Sequence, residues 1–115
     1  MSTPPPESPG KVVFLSGDLM FASRVESAAK RSGLTFQLTG ALPDASDASW
    51  VIVDLSMFSH LVDQLPEHCR KICPKATIIA YGAHVKADQL RQARSAGIEQ
   101  VLTKGQFDQQ LPTLF

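Results

Sequence analysis

The chain has 115 residues, enough for one domain and too few for two. Apolar residues make up 43% of it, which can fill one hydrophobic core, and eleven basic residues balance eleven acidic ones. This neutral balance gives no overall field that would attract nucleic acid, and no stretch approaches the roughly 20 apolar residues of a membrane span. We therefore expect neither a nucleic-acid partner nor a membrane partner.

The first ten residues, "MSTPPPESPG", contain four prolines and no group that could enter a core. We interpret residues 1–10 as a disordered proline-rich leader and residues 11–115 as the folded domain; a proline-rich ligand for a partner's groove is the alternative. The start has neither the basic region nor the apolar stretch of a secretory signal. This favours the cytoplasm.

Five short runs predict strands. Four are continuously apolar, as in strands covered on both faces of a parallel sheet, and one alternates with polar residues, as an edge strand does. In chain order they are residues 12–16, 34–39 (the alternating edge candidate), 50–55, 77–81 and 100–103.

Helical spacing separates most of these strands. It predicts a helix over 21–31 that ends near Gly33, a helix that begins regularly at Pro66 after a less regular stretch from Phe58, and a helix over 85–96. The link "GALPDASDA" at 40–48 is too short and too rich in turn formers for a full helix. Pro112 limits the last helix to one or two turns.

This order predicts an α/β fold: a doubly wound, five-stranded parallel sheet of the flavodoxin-like type with shortened second and last helices. Ligands of such folds bind beyond the carboxyl ends of the strands. Asp18 follows the first strand, Asp54 closes the third and Lys104 closes the fifth. We therefore expect two carboxylates and one ammonium to meet at the same edge of the sheet.

Residues 11–108 resemble a response-regulator receiver domain, in a small, stand-alone, divergent or pseudo-receiver form. The resemblance rests on these three residues and on Gly97, seven residues before Lys104. The resemblance implies a signalling module of a bacterial two-component phosphorelay, with no enzyme activity beyond acceptance and loss of its own phosphoryl group. In such domains the residue at Asp54 accepts the phosphoryl group and the lysine at Lys104 pairs with it. The resemblance also implies that Mg²⁺ is held by Asp18, Asp54 and the backbone carbonyl of Ser56.

The resemblance also implies protein partners: a histidine kinase or phosphotransfer protein, and a separate output protein, because no output domain follows. The switch region of the family corresponds to Gly82, Ala83, His84 and Val101. Here Gly82 stands where the family has a hydroxyl, and Val101 where it has an aromatic ring. Gly17 replaces the first of two adjacent acids.

These departures leave two interpretations of the site open. Either Asp54 is phosphorylated with Mg²⁺ bound weakly by two carboxylates, or Asp54 and Lys104 form a standing ion pair without chemistry. A flavodoxin-like domain that binds a small anionic ligand, or a protein partner without phosphorylation, is the alternative function. His84 is a candidate donor to an anion in place of the missing hydroxyl. A homodimer would cover the flank left open by the shortened helix layer.

Overall fold

A computed structural model describes residues 10–115. The predicted leader lies outside the described residues except for Gly10, which is buried and already belongs to the domain. Gly10 has a φ of +93°, and a Cβ at this position would stand 2.0 Å from Oγ of Ser49. Both the left-handed backbone and the close approach require glycine.

Five parallel strands form one sheet in the order β2-β1-β3-β4-β5. This order confirms the predicted doubly wound, flavodoxin-like fold, with the alternating run at one edge. The strands are β1 (Lys11–Leu15), β2 (Thr35–Thr39), β3 (Ala48–Asp54), β4 (Thr77–Gly82) and β5 (Gln100–Thr103). The helices are α1 (Leu19–Arg31), α2 (Leu55–Phe58), α3 (Leu65–Ile72), α4 (Ala87–Ser95) and α5 (Lys104–Leu114), with a 3₁₀ turn over Ser59–Leu61.

Each face of the sheet is covered by a pair of helices, because side chains alternate between the two faces along each strand. On one face Val13, Leu15, Val51 and Val53 pack against side chains of α3 and α4. On the other face Val12, Phe14, Ile52 and Tyr81 pack against α1 and α5. This double cover explains why the central strands are continuously apolar in sequence.

No helix joins β2 to β3 in the structure, as the composition of the link predicts. Leu42 and Ala45 of this link are partly buried against the core on the α3–α4 face. The carbonyl of Pro43 is hydrogen-bonded to the ring of His68. The link therefore replaces part of the missing helix layer as an irregular cover.

The last helix is not curtailed, and this part of the prediction is wrong. Helix α5 spans eleven residues, about three turns. Its start is fixed by a capping box in which Thr103 and Gln106 each accept a hydrogen bond from the other's backbone N–H, and Phe107 and Leu111 bury one face. Pro112 lies in the last turn, where a missing N–H removes only the bond to the carbonyl four residues earlier.

The regular part of the 55–72 segment begins where proline predicts, since α3 starts at Leu65 with Pro66 in its first turn. The short helix α2, directly after β3, was not predicted. Over residues 10–115, no helix combines the length and the apolar character needed to cross a membrane.

Candidate functional site

Asp54 lies at the carboxyl end of β3 and is 5% exposed. It caps helix α2, and its Oδ1 accepts hydrogen bonds from the backbone N–H of Ser56 at 3.0 Å and from the Ser56 hydroxyl at 2.6 Å. Its Oδ2 accepts a hydrogen bond from the hydroxyl of Ser16 at 2.9 Å. Both carboxylate oxygens are thus held by neutral donors of the chain itself, which compensates the cost of burying the charge.

Asp18 occupies the equivalent capping position of helix α1. Its Oδ1 accepts the backbone N–H of Phe21 at 3.0 Å, and its Oδ2 lies 3.3 Å from Nζ of Lys104. The hydrogen bond from Phe21 has the largest effect and lowers the pKa of the Asp18 carboxyl. Burial opposes this shift, and the Lys104 ammonium lowers the pKa further.

Ser16 joins the two carboxylate sites. Its hydroxyl donates to Asp54, and its oxygen accepts the backbone N–H of Asp18 at 3.0 Å. Sequence reasoning missed Ser16, although a signal was present. Ser16 lies two residues after Phe14 and Asp54 two residues after Ile52, and the period of two places both on the face that carries Phe14 and Ile52.

The structure brings the three predicted residues to one edge of the sheet, but the expected ion pair between Asp54 and Lys104 is not formed. Lys104 forms an ion pair with Asp18, and over residues 10–115 it forms none with Asp54. Its ammonium also lies 5.2 Å from the ring centroid of Phe21, within cation–π range. Among residues 10–115, hydrogen bonds join Asp54 to this ion pair through Ser16 alone.

A divalent cation does not fit these donors as they are arranged. Mg²⁺ requires hard oxygen ligands, and both carboxylates already accept hydrogen bonds on both oxygens. At Gly17, where the receiver pattern has a further acid, a Cβ would stand 2.5 Å from Sδ of Met57, a soft thioether. Residues 10–115 contain no group of three or more acidic, histidine or cysteine side chains that could hold a metal.

The residues of the predicted switch region are divided between core and surface. Gly82 is buried, and a Cβ there would stand 3.3 Å from Cβ and Cδ1 of Leu55, so its space is already filled. Val101 is buried in the α3–α4 core, whereas Ala83 and His84 are exposed in the turn before α4. His84 makes no hydrogen bond with residues 10–115.

Tyr81, opposite Asp54 in the sheet, is a further polar group that sequence reasoning did not single out. Its ring stacks on Phe107 at a centroid distance of 4.8 Å, and its hydroxyl is buried without a partner among the described residues. Burial raises the pKa of Tyr81 well above its usual range, and the charge of Asp54 adds to this shift. The phenol therefore stays protonated beside the buried carboxylate.

A groove of about 590 Å³ runs beside this edge between α1 and α5, and its lining is mostly apolar. Two cations lie in it, but each already has an acid beside it: Lys104 pairs with Asp18 and Arg24 pairs with Asp108. The groove therefore has little unpaired positive charge for a small anion.

No family model matches the sequence, and no curated protein matches it. Solved structures do match. A response regulator from Hahella chejuensis superposes with a TM-score of 0.67 at 13% identity, over 90% of this chain and 86% of that one. A response regulator from Burkholderia pseudomallei, crystallised with a phosphorylated aspartate, calcium and citrate, gives 0.65 at 17% identity over 83% of this chain.

A third match is the receiver domain of a Saccharomyces cerevisiae response regulator in co-crystal with its histidine phosphotransfer protein. The TM-score is 0.62 at 13% identity, over 83% of this chain and 78% of that one. The chain spans only 59% of the length of the Burkholderia pseudomallei chain. At these identities the matches establish the fold: the chain is a receiver-like domain.

Proposed function

We propose that this receiver-like domain is a signalling module of a bacterial two-component system that acts through protein contact and does not depend on phosphorylation of Asp54. The observation that carries the proposal is the hydrogen bonding of Asp54. Both of its oxygens are engaged by Ser16 and Ser56, and Met57 stands over the position of the missing acid. Asp54 then serves to hold the β1–α1 and β3–α2 connections together, and the module needs no catalytic activity.

Apolar side chains exposed at the carboxyl edge support protein contact as the mode of action. Leu19 and Met20 at the start of α1 are 70% and 85% exposed. Met57 in α2 and Val85 in the β4–α4 connection are exposed as well. Exposed apolar groups clustered at one edge are typical of interaction surfaces. We propose a separate output protein or a phosphotransfer protein as the partner, and the cytoplasm as the compartment, in keeping with the free thiols of Cys69 and Cys73.

Phosphorylation of Asp54 is the second candidate, favoured by its place at the carboxyl end of a central strand and by the phosphorylated aspartate of a structural neighbour. In that case Ser16 or Ser56 must first release an oxygen of Asp54. Mg²⁺ would then be held by Asp18, Asp54 and the carbonyl of Ser56, and Lys104 would leave Asp18 for the phosphoryl group.

The deciding experiment treats the full chain with acetyl phosphate and Mg²⁺, followed by intact mass, and with beryllofluoride and Mg²⁺, followed by amide NMR. We expect no phosphoryl adduct and no shifts at Asp18, Asp54 or Lys104 beyond those of an Asp54→Asn control. An adduct that the control lacks would establish Asp54 as a phosphoacceptor and overturn the proposal.

Protein contact is tested separately by a photo-crosslinking amino acid at position 20, in the native cells. Position 75 is the matched control, because Lys75 is exposed at the opposite edge, before β4. We expect a discrete crosslinked protein at position 20 only. Identical products at both positions would contradict a partner surface at the carboxyl edge.

A further inference from the structure

Strand β2 is an edge strand without the usual protection. Its sequence, "TFQLT", contains neither charge nor proline, and its backbone pairs with β1 without a bulge. Natural proteins protect exposed edge strands with charged residues, prolines or bulges, because a free edge can pair with the strands of other chains. The other edge strand, β5, lies between Glu99 and Lys104, two charged residues. Among residues 10–115, no strand pairs with the outer side of β2.

The backbone groups on this outer side can be identified. The N–H of Thr35 donates to the carbonyl of Gly10, so Thr35 directs its backbone groups toward β1. Because the direction alternates along a strand, Gln37 and Thr39 also face β1, and Phe36 and Leu38 direct their N–H and C=O groups outward. Two donors and two acceptors are therefore available at the free edge.

We propose that β2 pairs antiparallel with β2 of a second copy of this chain, about a two-fold axis at Gln37. The sequence is self-complementary in this register: Phe36 lies opposite Leu38 of the partner subunit, and Thr35 lies opposite Thr39 of the partner subunit. The outward groups of Phe36 and Leu38 then meet as hydrogen-bonded pairs, which gives four intersubunit bonds. The result is one continuous ten-stranded sheet with an isologous interface.

The helix face beside β2 supplies apolar surface for the same contact. A groove of about 400 Å³ lies between α1 and β2 and is lined by Leu19, Ala22, Ser23, Glu26, Phe36 and Leu38. Leu38 is 37% exposed at this groove. The one charged residue of the lining, Glu26, is neutralised by Lys30 at 3.3 Å. A second copy thus meets apolar and neutral surface, so the dimer should persist in high salt.

The register is tested by cross-linking the full chain with copper phenanthroline as oxidant. In the proposed dimer the two copies of residue 37 face each other as a non-hydrogen-bonded pair, whereas the two copies of residue 35 lie four residues apart along the strands. We expect Gln37→Cys to form a covalent dimer about tenfold faster than Thr35→Cys. Cys69 and Cys73 are buried and free, and the unsubstituted chain measures their background. Equal rates for the two variants would overturn the register.

Sedimentation velocity over a range of concentrations tests the dimer itself, against the 12.5 kDa mass of the chain. Leu38→Pro removes an outward N–H that β1 does not use, and proline is tolerated on edge strands, so this variant should sediment as a monomer. Val85→Lys, an exposed apolar residue on a distant turn, should leave the dimer intact. If Leu38→Pro does not fold, Leu38→Lys provides the same comparison. A wild-type chain that stays monomeric at high concentration would overturn the proposal, even if β2 pairs with a strand of some other protein. The inference does not rest on the proposed function.

Discussion

The thioether of Met57 lies directly over Gly17, so close that a Cβ at Gly17 would stand 2.5 Å from Sδ and 2.8 Å from Cε of Met57. Gly17 lies in the β1–α1 connection and Met57 in helix α2, directly after β3. The hydrogen bond from Ser16 to Asp54 joins the same two parts of the chain. A soft sulfur and a residue without a side chain thus occupy the place where the receiver pattern has a carboxylate. Substitutions at these two positions can therefore test whether a further carboxylate makes this edge bind a divalent cation more tightly.

We expect the double variant Gly17→Asp, Met57→Ala to gain divalent-cation affinity by about tenfold or more, because a further carboxylate joins Asp18 and Asp54 once the thioether is removed. Titration with Mg²⁺ followed by amide NMR, or with Mn²⁺ followed by line broadening, measures the gain. Met57→Ala alone controls for the opened space, and adding Asp54→Asn should abolish the gain. A wild-type chain that binds as tightly as the double variant would refute this account of the site.

Gly17→Asp alone should cost less than about 1 kcal/mol of stability, because its Cβ would meet only the far end of the exposed Met57 side chain, which can rotate away. Met57→Ala should relieve most of that loss. Urea unfolding followed by the fluorescence of Trp50, the single tryptophan, gives both values. Equal losses with and without Met57 would show that the crowding lies elsewhere.

Asp54→Ala should lower the free energy of unfolding by about 2 kcal/mol, because it leaves the buried Ser16 hydroxyl without its acceptor and removes the side-chain cap of α2 at the Ser56 N–H. Asp54→Asn keeps one carbonyl oxygen as acceptor and should cost less. Urea melts of the two variants measure the difference. If Asp54→Ala and Lys104→Met lower the free energy of unfolding by equal amounts, the result would instead favour an ion pair between Asp54 and Lys104.

The lowered pKa of Asp18 makes stability depend on pH in the acid range. A carboxyl whose pKa is lower in the folded state stabilises the fold above its unfolded pKa, near 3.8, and this contribution is lost as the pH falls through the folded pKa. Asp18→Asn should therefore be less stable than wild type at neutral pH, and the gap should close below pH 3.8. Glu99→Gln, which removes an acid without an ion pair among residues 10–115, is the control. A gap that stays constant with pH would contradict this linkage.

The strands could be predicted from sequence because burial on both faces makes each central strand a continuous apolar run. Their order follows from right-handed crossovers. The last helix was misjudged because Pro112 signals a stop, whereas the Thr103–Gln106 capping box and the buried Phe107 and Leu111 stabilise the turns before it. Proline near the end of a helix removes one hydrogen bond and leaves the earlier turns intact.

At the site, the sequence places Asp18, Asp54 and Lys104 at the correct edge but does not specify which of them pair. That choice depends on distances of a few ångströms between connections. Lys104 begins helix α5 beside α1, and it therefore meets Asp18 at the start of α1. Asp54 instead accepts hydrogen bonds from the hydroxyl of Ser56 in α2 and from the hydroxyl of Ser16, directly after β1. Ser16 could have been found from the period of two, which places it on the face of Phe14 and Ile52. Nothing in the local sequence of Ser56 marks it as a donor to Asp54.

The thiols of Cys69 in α3 and of Cys73, directly after it, should be inert in the folded chain. Burial raises the pKa of Cys69 to about 12, with a further contribution from Cys73, and burial also raises the pKa of Cys73. At pH 8 only about one Cys69 in ten thousand is then a thiolate, the form that reacts with disulfide reagents. We expect Ellman's reagent to label neither thiol in buffer and both in urea, while Lys75→Cys adds one fast-reacting exposed thiol as the control. Rapid labelling of the native wild-type chain would show that α3 opens readily or packs differently from the arrangement described above.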